Sequence, residues 1–116
     1  MPVQQVPPHE YWPSGDGRPI AMVALEPDEL AARYGLAFEE GYDTLDYFER
    51  AAIALVDGSQ VWLMRHRGNP VAGTIIYADA AADPSRVRGL LAQALGLDEA
   101  DFLWTAPSSE ASAAST

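Results

Sequence analysis

The sequence predicts an α+β fold in which a small antiparallel β-meander of three to five strands packs against one amphipathic C-terminal helix and a short N-terminal helix. Three observations support this class. The chain has 116 residues, 48% of them hydrophobic, which suits one domain with one core. Two apolar runs flank the turn dipeptide Asp57-Gly58, and a later segment carries apolar residues at helical spacing.

The first elements are a short strand and a short helix. Residues 20–25 form an apolar run of the strand type. Pro27 suits the first position of a helix, and Gly35 suits the position that follows its end. A helix over residues 28–34 is therefore predicted.

A β-hairpin is the clearest element in the middle of the chain. Residues 36–42 are ambiguous, and residues 43–48 resemble a turn that enters the next element. The runs AAIALV and SQVWLM then flank Asp57-Gly58. A type I′ turn needs positive φ, which glycine adopts freely and aspartate tolerates. We therefore predict a hairpin over residues 50–66 with a type I′ turn at Asp57-Gly58.

A third strand and an amphipathic helix follow. The turn sequence Gly68-Asn69-Pro70 precedes the strand-like run 74–78, which completes a meander. Asp83-Pro84 suits a helix start, and Gly96 suits its end. Between them the apolar residues recur every three or four positions, at Val87, Leu90, Leu91, Ala94 and Leu95. This stripe is expected to pack on the meander, and residues 102–104 are apolar enough for a closing strand or a packed segment.

The two ends of the chain differ from the centre in composition. The N-terminal end is rich in proline, and the C-terminal end consists mostly of small and polar residues. We expect a flexible or surface-docked N-terminal tail over residues 1–18, a single α+β domain over residues 19–106 and a disordered C-terminal tail over residues 107–116.

Charge and composition narrow the classes of function. Seventeen acidic residues against seven arginines give a formal net charge of −10. This balance argues against a nucleic-acid partner, since that binding depends on cationic side chains that neutralise phosphate. The absence of cysteine excludes disulfides and cysteine-ligated zinc. With no signal-peptide pattern and no long apolar run, we expect a cytoplasmic protein, of the composition common in GC-rich bacteria, without a membrane partner.

The acidic residues are concentrated in one band. Residues 26–49 carry eight acidic side chains against one arginine. The binding candidates within this band are Glu39, Glu40, Asp43 and Asp46. Such a band could steer a basic protein partner, because charge complementarity acts on association rate and specificity. A solvated surface, or neutralisation within the fold, is the alternative. The band lacks the ligand pattern of a calcium loop, so no metal and no cofactor are expected.

A second candidate cluster consists of Arg65, His66 and Arg67. In a strand that alternates from Val61, the two arginines share one face and His66 lies on the other. Two guanidinium groups on one face could hold a carboxylate or a phosphate, or they could mark the solvated end of a hairpin and pair with the chain's own acids. No nucleophile or orienting acid stands beside His66 in the sequence, so no catalytic residue is assigned.

The three tryptophans are expected to pack in the hydrophobic core. Trp62 lies in the predicted hairpin and Trp104 in the C-terminal segment. Trp12 lies in the N-terminal tail, where it could instead cap a sheet face or anchor a partner.

The sequence contains no motif that specifies a reaction. The first hypothesis is a small acidic protein-binding module that acts through surface contacts with another protein, as an adaptor, an accessory subunit or an inhibitor of the immunity type. The alternative is a small-molecule anion-binding domain or a small enzyme that uses Arg65, Arg67 and His66. The lack of catalytic signals favours the first hypothesis over an enzyme.

Overall fold

The computed structural model describes residues 4–6, 17–42 and 46–106. The described residues form seven strands and two α-helices, and a short 3-10 turn over Glu99–Asp101 precedes the last strand. In chain order the elements are β1 (Gln4–Val6), β2 (Gly17–Val23), α1 (Pro27–Tyr34), β3 (Glu39–Tyr42), β4 (Tyr47–Ala54), β5 (Gln60–His66), β6 (Thr74–Asp79), α2 (Pro84–Leu95) and β7 (Phe102–Thr105). The predicted C-terminal tail and most of the predicted N-terminal tail lie outside the described residues.

All seven strands belong to one antiparallel sheet. Its order is β1-β4-β5-β6-β2-β7, and β3 also pairs with β4. β1 and β3 lie one after the other along the same edge of β4, because β1 pairs with residues 52–54 and β3 with residues 47–50. β7 forms the opposite edge, beside β2.

The predicted class, α+β, agrees with this architecture, but the prediction of a three-to-five-stranded meander is wrong. The meander β4-β5-β6 is only the centre of the sheet, and four further strands extend it on both sides. Two of these four strands, β1 and β3, give only a weak strand signal in their own residues. β1 is three residues long, and β3 contains two glutamates and a glycine. Pairing with a preformed neighbour supplies the hydrogen bonds that propensity alone does not predict.

One face of the sheet carries the hydrophobic core. Cross-strand pairing places Leu63, Ile76 and Ala21 side by side on this face, and all three are fully buried. Leu30 from α1 belongs to the same buried cluster. From α2 the cluster contains Val87, Leu91 and Leu95. We call this side of the sheet the core face.

The opposite face carries a second apolar set, which includes Trp62. The register places Met22, Ala52, Trp62, Met64, Ile75 and Tyr77 on it. Trp62 is only half-buried, and Trp104 is 40% exposed. The prediction that these two tryptophans pack in the hydrophobic core is therefore wrong. Trp12 lies outside the described residues.

Both helices begin and end where their sequence signals predict. α1 starts at Pro27, and α2 starts at Pro84. Gly35 and Gly96 follow the two helices with φ values of 68° and 66°, the left-handed conformation in which glycine has no Cβ penalty. The Tyr34 hydroxyl donates a 2.6 Å hydrogen bond to the carbonyl oxygen of Leu95, which ties together the C-terminal ends of the helices. In the part of the chain that the structure describes, no helix is both long and apolar enough to cross a membrane.

The hairpin of β4 and β5 is confirmed, but its predicted turn type is wrong. Leu55 N–H donates to Ser59 O at 2.8 Å, and Gly58 N–H donates to Leu55 O at 2.9 Å. Gly58 has φ 87°, whereas Asp57 has no positive φ. This pattern is that of a type I turn followed by a glycine bulge, so only one residue needs the left-handed region. Hydrogen bonds from the hydroxyl and N–H of Ser59 hold the pKa of Asp57 below its ordinary value.

Replacement of Gly58 by valine is expected to lower the free energy of unfolding by about 1 kcal/mol or more. A β-branched side chain at φ 87° is strained even though the space around Gly58 is open. Urea denaturation of the two proteins measures the loss. An unchanged midpoint would contradict the turn described above.

Candidate functional site

Four side chains of the β3–β4 hairpin form a candidate binding surface at one edge of the sheet. Glu40 lies opposite Glu49, and Tyr42 lies opposite Tyr47. Because alternate residues of a strand share a face, all four lie on one side of the hairpin. We call Glu40, Tyr42, Tyr47 and Glu49 the β3–β4 surface.

The two tyrosines give this surface an exposed aromatic centre. Tyr42 is 63% exposed and Tyr47 is 55% exposed, and their ring centroids are 4.7 Å apart. The guanidinium carbon of Arg67 lies 5.3 Å from the centroid of the Tyr47 ring, within the range of a cation–π interaction. Tyrosine and arginine are enriched at protein interfaces and among the residues that dominate binding energy.

The two glutamates place two carboxylates opposite each other on the same surface. Like charges directly opposite each other in a sheet are destabilising. Among the described residues, neither Glu40 nor Glu49 forms an ion pair. Arg65 lies opposite Glu49 on β5, but its nearest carboxylate is that of Glu26. A cationic group from outside the chain would relieve this repulsion.

Arg65 acts as a structural residue of the loop between β5 and β6. Its guanidinium donates hydrogen bonds to the carbonyl oxygens of Val71, at 2.7 Å, Asn69, at 3.3 Å, and Gly73, at 3.4 Å. Its Nε also lies 3.6 Å from a carboxylate oxygen of Glu26, and the side chain is only 18% exposed. Three of its five N–H donors are therefore used by loop carbonyls, and a fourth, at Nε, lies beside Glu26, which leaves little of the guanidinium for an anion.

The other members of the predicted arginine–histidine cluster lie on two different sides. Arg67 follows the last residue of β5, and its N–H donates to Tyr47 O at 2.8 Å. Arg67 and Arg65 line one small cavity of about 110 Å³, but Glu49 also lines it and would repel an anion. The His66 ring packs edge-on against Phe48, with centroids 5.8 Å apart. His66 pairs with Phe48 across the strands, so both lie on the face opposite the β3–β4 surface.

The residues predicted from the acidic band have different roles. Glu40 belongs to the β3–β4 surface, whereas Glu39 forms a 2.8 Å ion pair with Arg50 on the other face. Asp46 accepts hydrogen bonds from the N–H groups of Tyr47, at 2.8 Å, and Gly68, and so ties two loops together. Asp43 lies outside the described residues.

Sequence reasoning missed the two tyrosines and Glu49 as site residues. The available signal was the pair of aromatic residues that flanks the turn sequence DTLD at residues 43–46. Recognition of a hairpin there would have placed Tyr42 and Tyr47 opposite each other, but the acidic residues and the glycine of β3 concealed it.

Over the ranges that the structure describes, the chain is a small α+β protein with one seven-stranded antiparallel sheet and two α-helices that contribute residues to its core. Comparison of the chain with protein-family models, with curated proteins and with solved structures found no match.

Proposed function

We propose that this protein is a protein-binding module, an adaptor, accessory subunit or inhibitor, whose β3–β4 surface holds a partner that presents basic side chains. The observation that carries the proposal is the exposed Tyr42–Tyr47 pair beside two opposed carboxylates that lack ion-pair partners among the described residues. The net charge of −10 adds long-range attraction for a basic partner.

The two kinds of side chain would contribute differently to binding. The tyrosine rings offer large apolar area with few rotatable bonds, so their burial loses little conformational entropy. A lysine or arginine of the partner would pair with Glu40 and Glu49 and remove the repulsion between them. The tyrosines are therefore expected to determine the strength of binding, and the glutamates its rate and salt dependence.

The anion-binding alternative has weaker support. It needs Arg65 and Arg67 to act together on one ligand, but Arg65 is occupied by the loop carbonyls and Glu26. His66 lies on the other face of the sheet, so the three side chains do not converge on a single point.

The test begins with a partner captured from the native host and then compares binding by two double variants. We expect Tyr42→Ser with Tyr47→Ser to weaken binding by about 30-fold or more, the factor that corresponds to about 2 kcal/mol. We expect Glu40→Gln with Glu49→Gln to slow association and to flatten its salt dependence. Stopped-flow kinetics at several salt concentrations measures both effects.

A third double variant controls for net charge. Asp28→Asn with Glu29→Gln removes two charges from exposed positions of α1 and is expected to change the association rate much less. The melting temperature of the Glu40–Glu49 variant should equal or exceed that of the unmodified protein, because a like-charge pair is removed. A partner that binds both test variants as tightly and as fast as the unmodified protein would exclude the β3–β4 surface.

A further inference from the structure

A second surface lies at the opposite edge of the sheet, where an open groove of about 680 Å³ runs between α2 and β7. All four residues of β7 line the strand side of this groove. Arg88, Gly89 and Ala92 line the helix side, and Asp98 and Glu99 lie at its end. We call it the α2–β7 groove.

The strand that borders the groove has a free edge. Within the described ranges, β7 pairs only with β2 and is the last strand of the sheet order. An edge strand presents N–H and C=O groups that can pair with another chain. Leu103 is 47% exposed and Trp104 is 40% exposed, whereas Phe102 packs partly against the core. The edge therefore offers both backbone hydrogen bonds and apolar contacts.

Gly89 is a separate observation that points to an occupant. It lies in the interior of α2, where glycine costs about 1 kcal/mol relative to alanine. The folded chain does not require glycine there, because its φ is not positive and a Cβ atom would meet nothing within 4 Å. The absent side chain does leave room for another backbone to approach the helix.

We propose that the α2–β7 groove binds an extended segment of another protein, which adds to β7 as a further strand and carries a basic residue at the Asp98–Glu99 end. The four residues of β7 span about 13 Å, so the segment would contain about four to six residues. Main-chain hydrogen bonds to β7 would hold it, and its alternate side chains would lie against α2 and Phe102.

Charge favours a basic segment over a second copy of this chain. Two copies would each bring a formal charge of −10, so their approach is opposed electrostatically. The groove itself contains one arginine against two acidic side chains. A lysine-bearing or arginine-bearing segment meets attraction from both the groove and the whole molecule.

This inference is independent of the proposed function. β4, which carries part of the β3–β4 surface, and β7 are four strand spacings apart, a distance of about 19 Å. The protein could therefore hold two partners at once, one at each edge of the sheet, as an adaptor does.

The first test uses synthetic heptapeptides, acetylated and amidated, in which valine and threonine alternate and a lysine stands at one end or the other. They are titrated into the ¹⁵N-labelled full chain. We expect chemical-shift changes in β7 and along α2, and hydrogen exchange at least tenfold slower at β7 amides. Whichever of these peptides binds more tightly should lose affinity when its lysine is replaced by glutamate, and this loss of affinity should be larger at low salt. Methylation of alternate backbone nitrogens of the peptide removes its N–H donors to β7 and should weaken peptide binding at least tenfold.

The second test fills the groove. Gly89→Leu is expected to weaken peptide binding at least tenfold, whereas Gly89→Ala should leave it within twofold. Gln93→Leu adds the same side chain at an exposed position of α2 outside the groove and should also leave binding within twofold. Both Gly89 variants should melt at or above the temperature of the unmodified protein, since glycine is the poorest helix former after proline.

Several results would overturn the inference. These are equal binding of methylated and unmethylated peptides, shift changes outside the groove, and unchanged binding by Gly89→Leu. A dimer in sedimentation experiments that Gly89→Leu dissociates would make a second copy the occupant instead. The Tyr42→Ser, Tyr47→Ser variant should bind the peptides normally, so failure of the α2–β7 groove is distinguishable from failure of the β3–β4 surface.

Discussion

Leu91→Ala is expected to lower the free energy of unfolding by about 2 to 5 kcal/mol. Leu91 is fully buried, and it lies in the middle of the α2 stripe between Val87 and Leu95. The truncation removes apolar contacts and leaves a cavity, because the sheet beneath the helix can collapse only partly. Domains of this kind are stable by about 5 to 15 kcal/mol, so the loss is a large share of the total.

Urea denaturation of Leu91→Ala and of a control variant measures this effect. Gln93→Ala lies two residues away on the exposed side of the same helix and is expected to change stability by less than about 0.5 kcal/mol. The dependence of stability on urea concentration should be the same for all three proteins, since the surface exposed on unfolding hardly changes. A loss of less than about 0.5 kcal/mol for Leu91→Ala would show that another side of α2 faces the sheet.

The helices were predictable because their signals are local. Pro27 and Gly35 bracket α1, and Pro84 and Gly96 bracket α2, so four residues mark both helices. The apolar stripe of α2 also indicated which side faces the core. Such signals depend on backbone geometry within a few residues, which the sequence displays directly.

The strands at the sheet edges were harder to predict because their partners are distant in sequence. β1 pairs with β4, about fifty residues further along the chain, as Gln4 opposite Ala54 shows. β2 lies between β6 and β7, and no local pattern indicates that order. A strand whose stability comes from pairing rather than from its own propensity leaves little trace in its sequence.

The candidate sites show the same division between local and non-local information. Strand alternation correctly put His66 on the face opposite Arg65. Alternation could not show that Arg65 binds loop carbonyls and Glu26, because those partners meet it only in the folded chain. The α2–β7 groove was missed for a similar reason, since it is formed by a helix and a strand that become neighbours only when β7 pairs with β2.

Gly73→Ala is expected to lower the free energy of unfolding by about 2 to 6 kcal/mol, because it combines backbone strain with overpacking, each of which costs about 1 to 3 kcal/mol. Gly73 is buried, with φ 142°, a conformation that L-residues rarely adopt. A Cβ atom there would clash with the carbonyl oxygen of Val23. That oxygen belongs to the backbone of β2, which is paired on both sides, so it cannot rotate away as a side chain could.

Gly89→Ala provides the matched control, because it is the same substitution at a position where the new Cβ meets nothing within 4 Å. It is expected to raise the free energy of unfolding by up to about 1 kcal/mol. Opposite shifts of the two midpoints in one urea series would therefore separate the steric effect at Gly73 from any general effect of replacing glycine. If the free energy of unfolding of Gly73→Ala instead lies within about 0.5 kcal/mol of that of the unmodified protein, Gly73 does not lie in close contact with the backbone of Val23. The position of the whole β5–β6 loop, which Arg65 anchors through the Gly73 carbonyl, would then need revision.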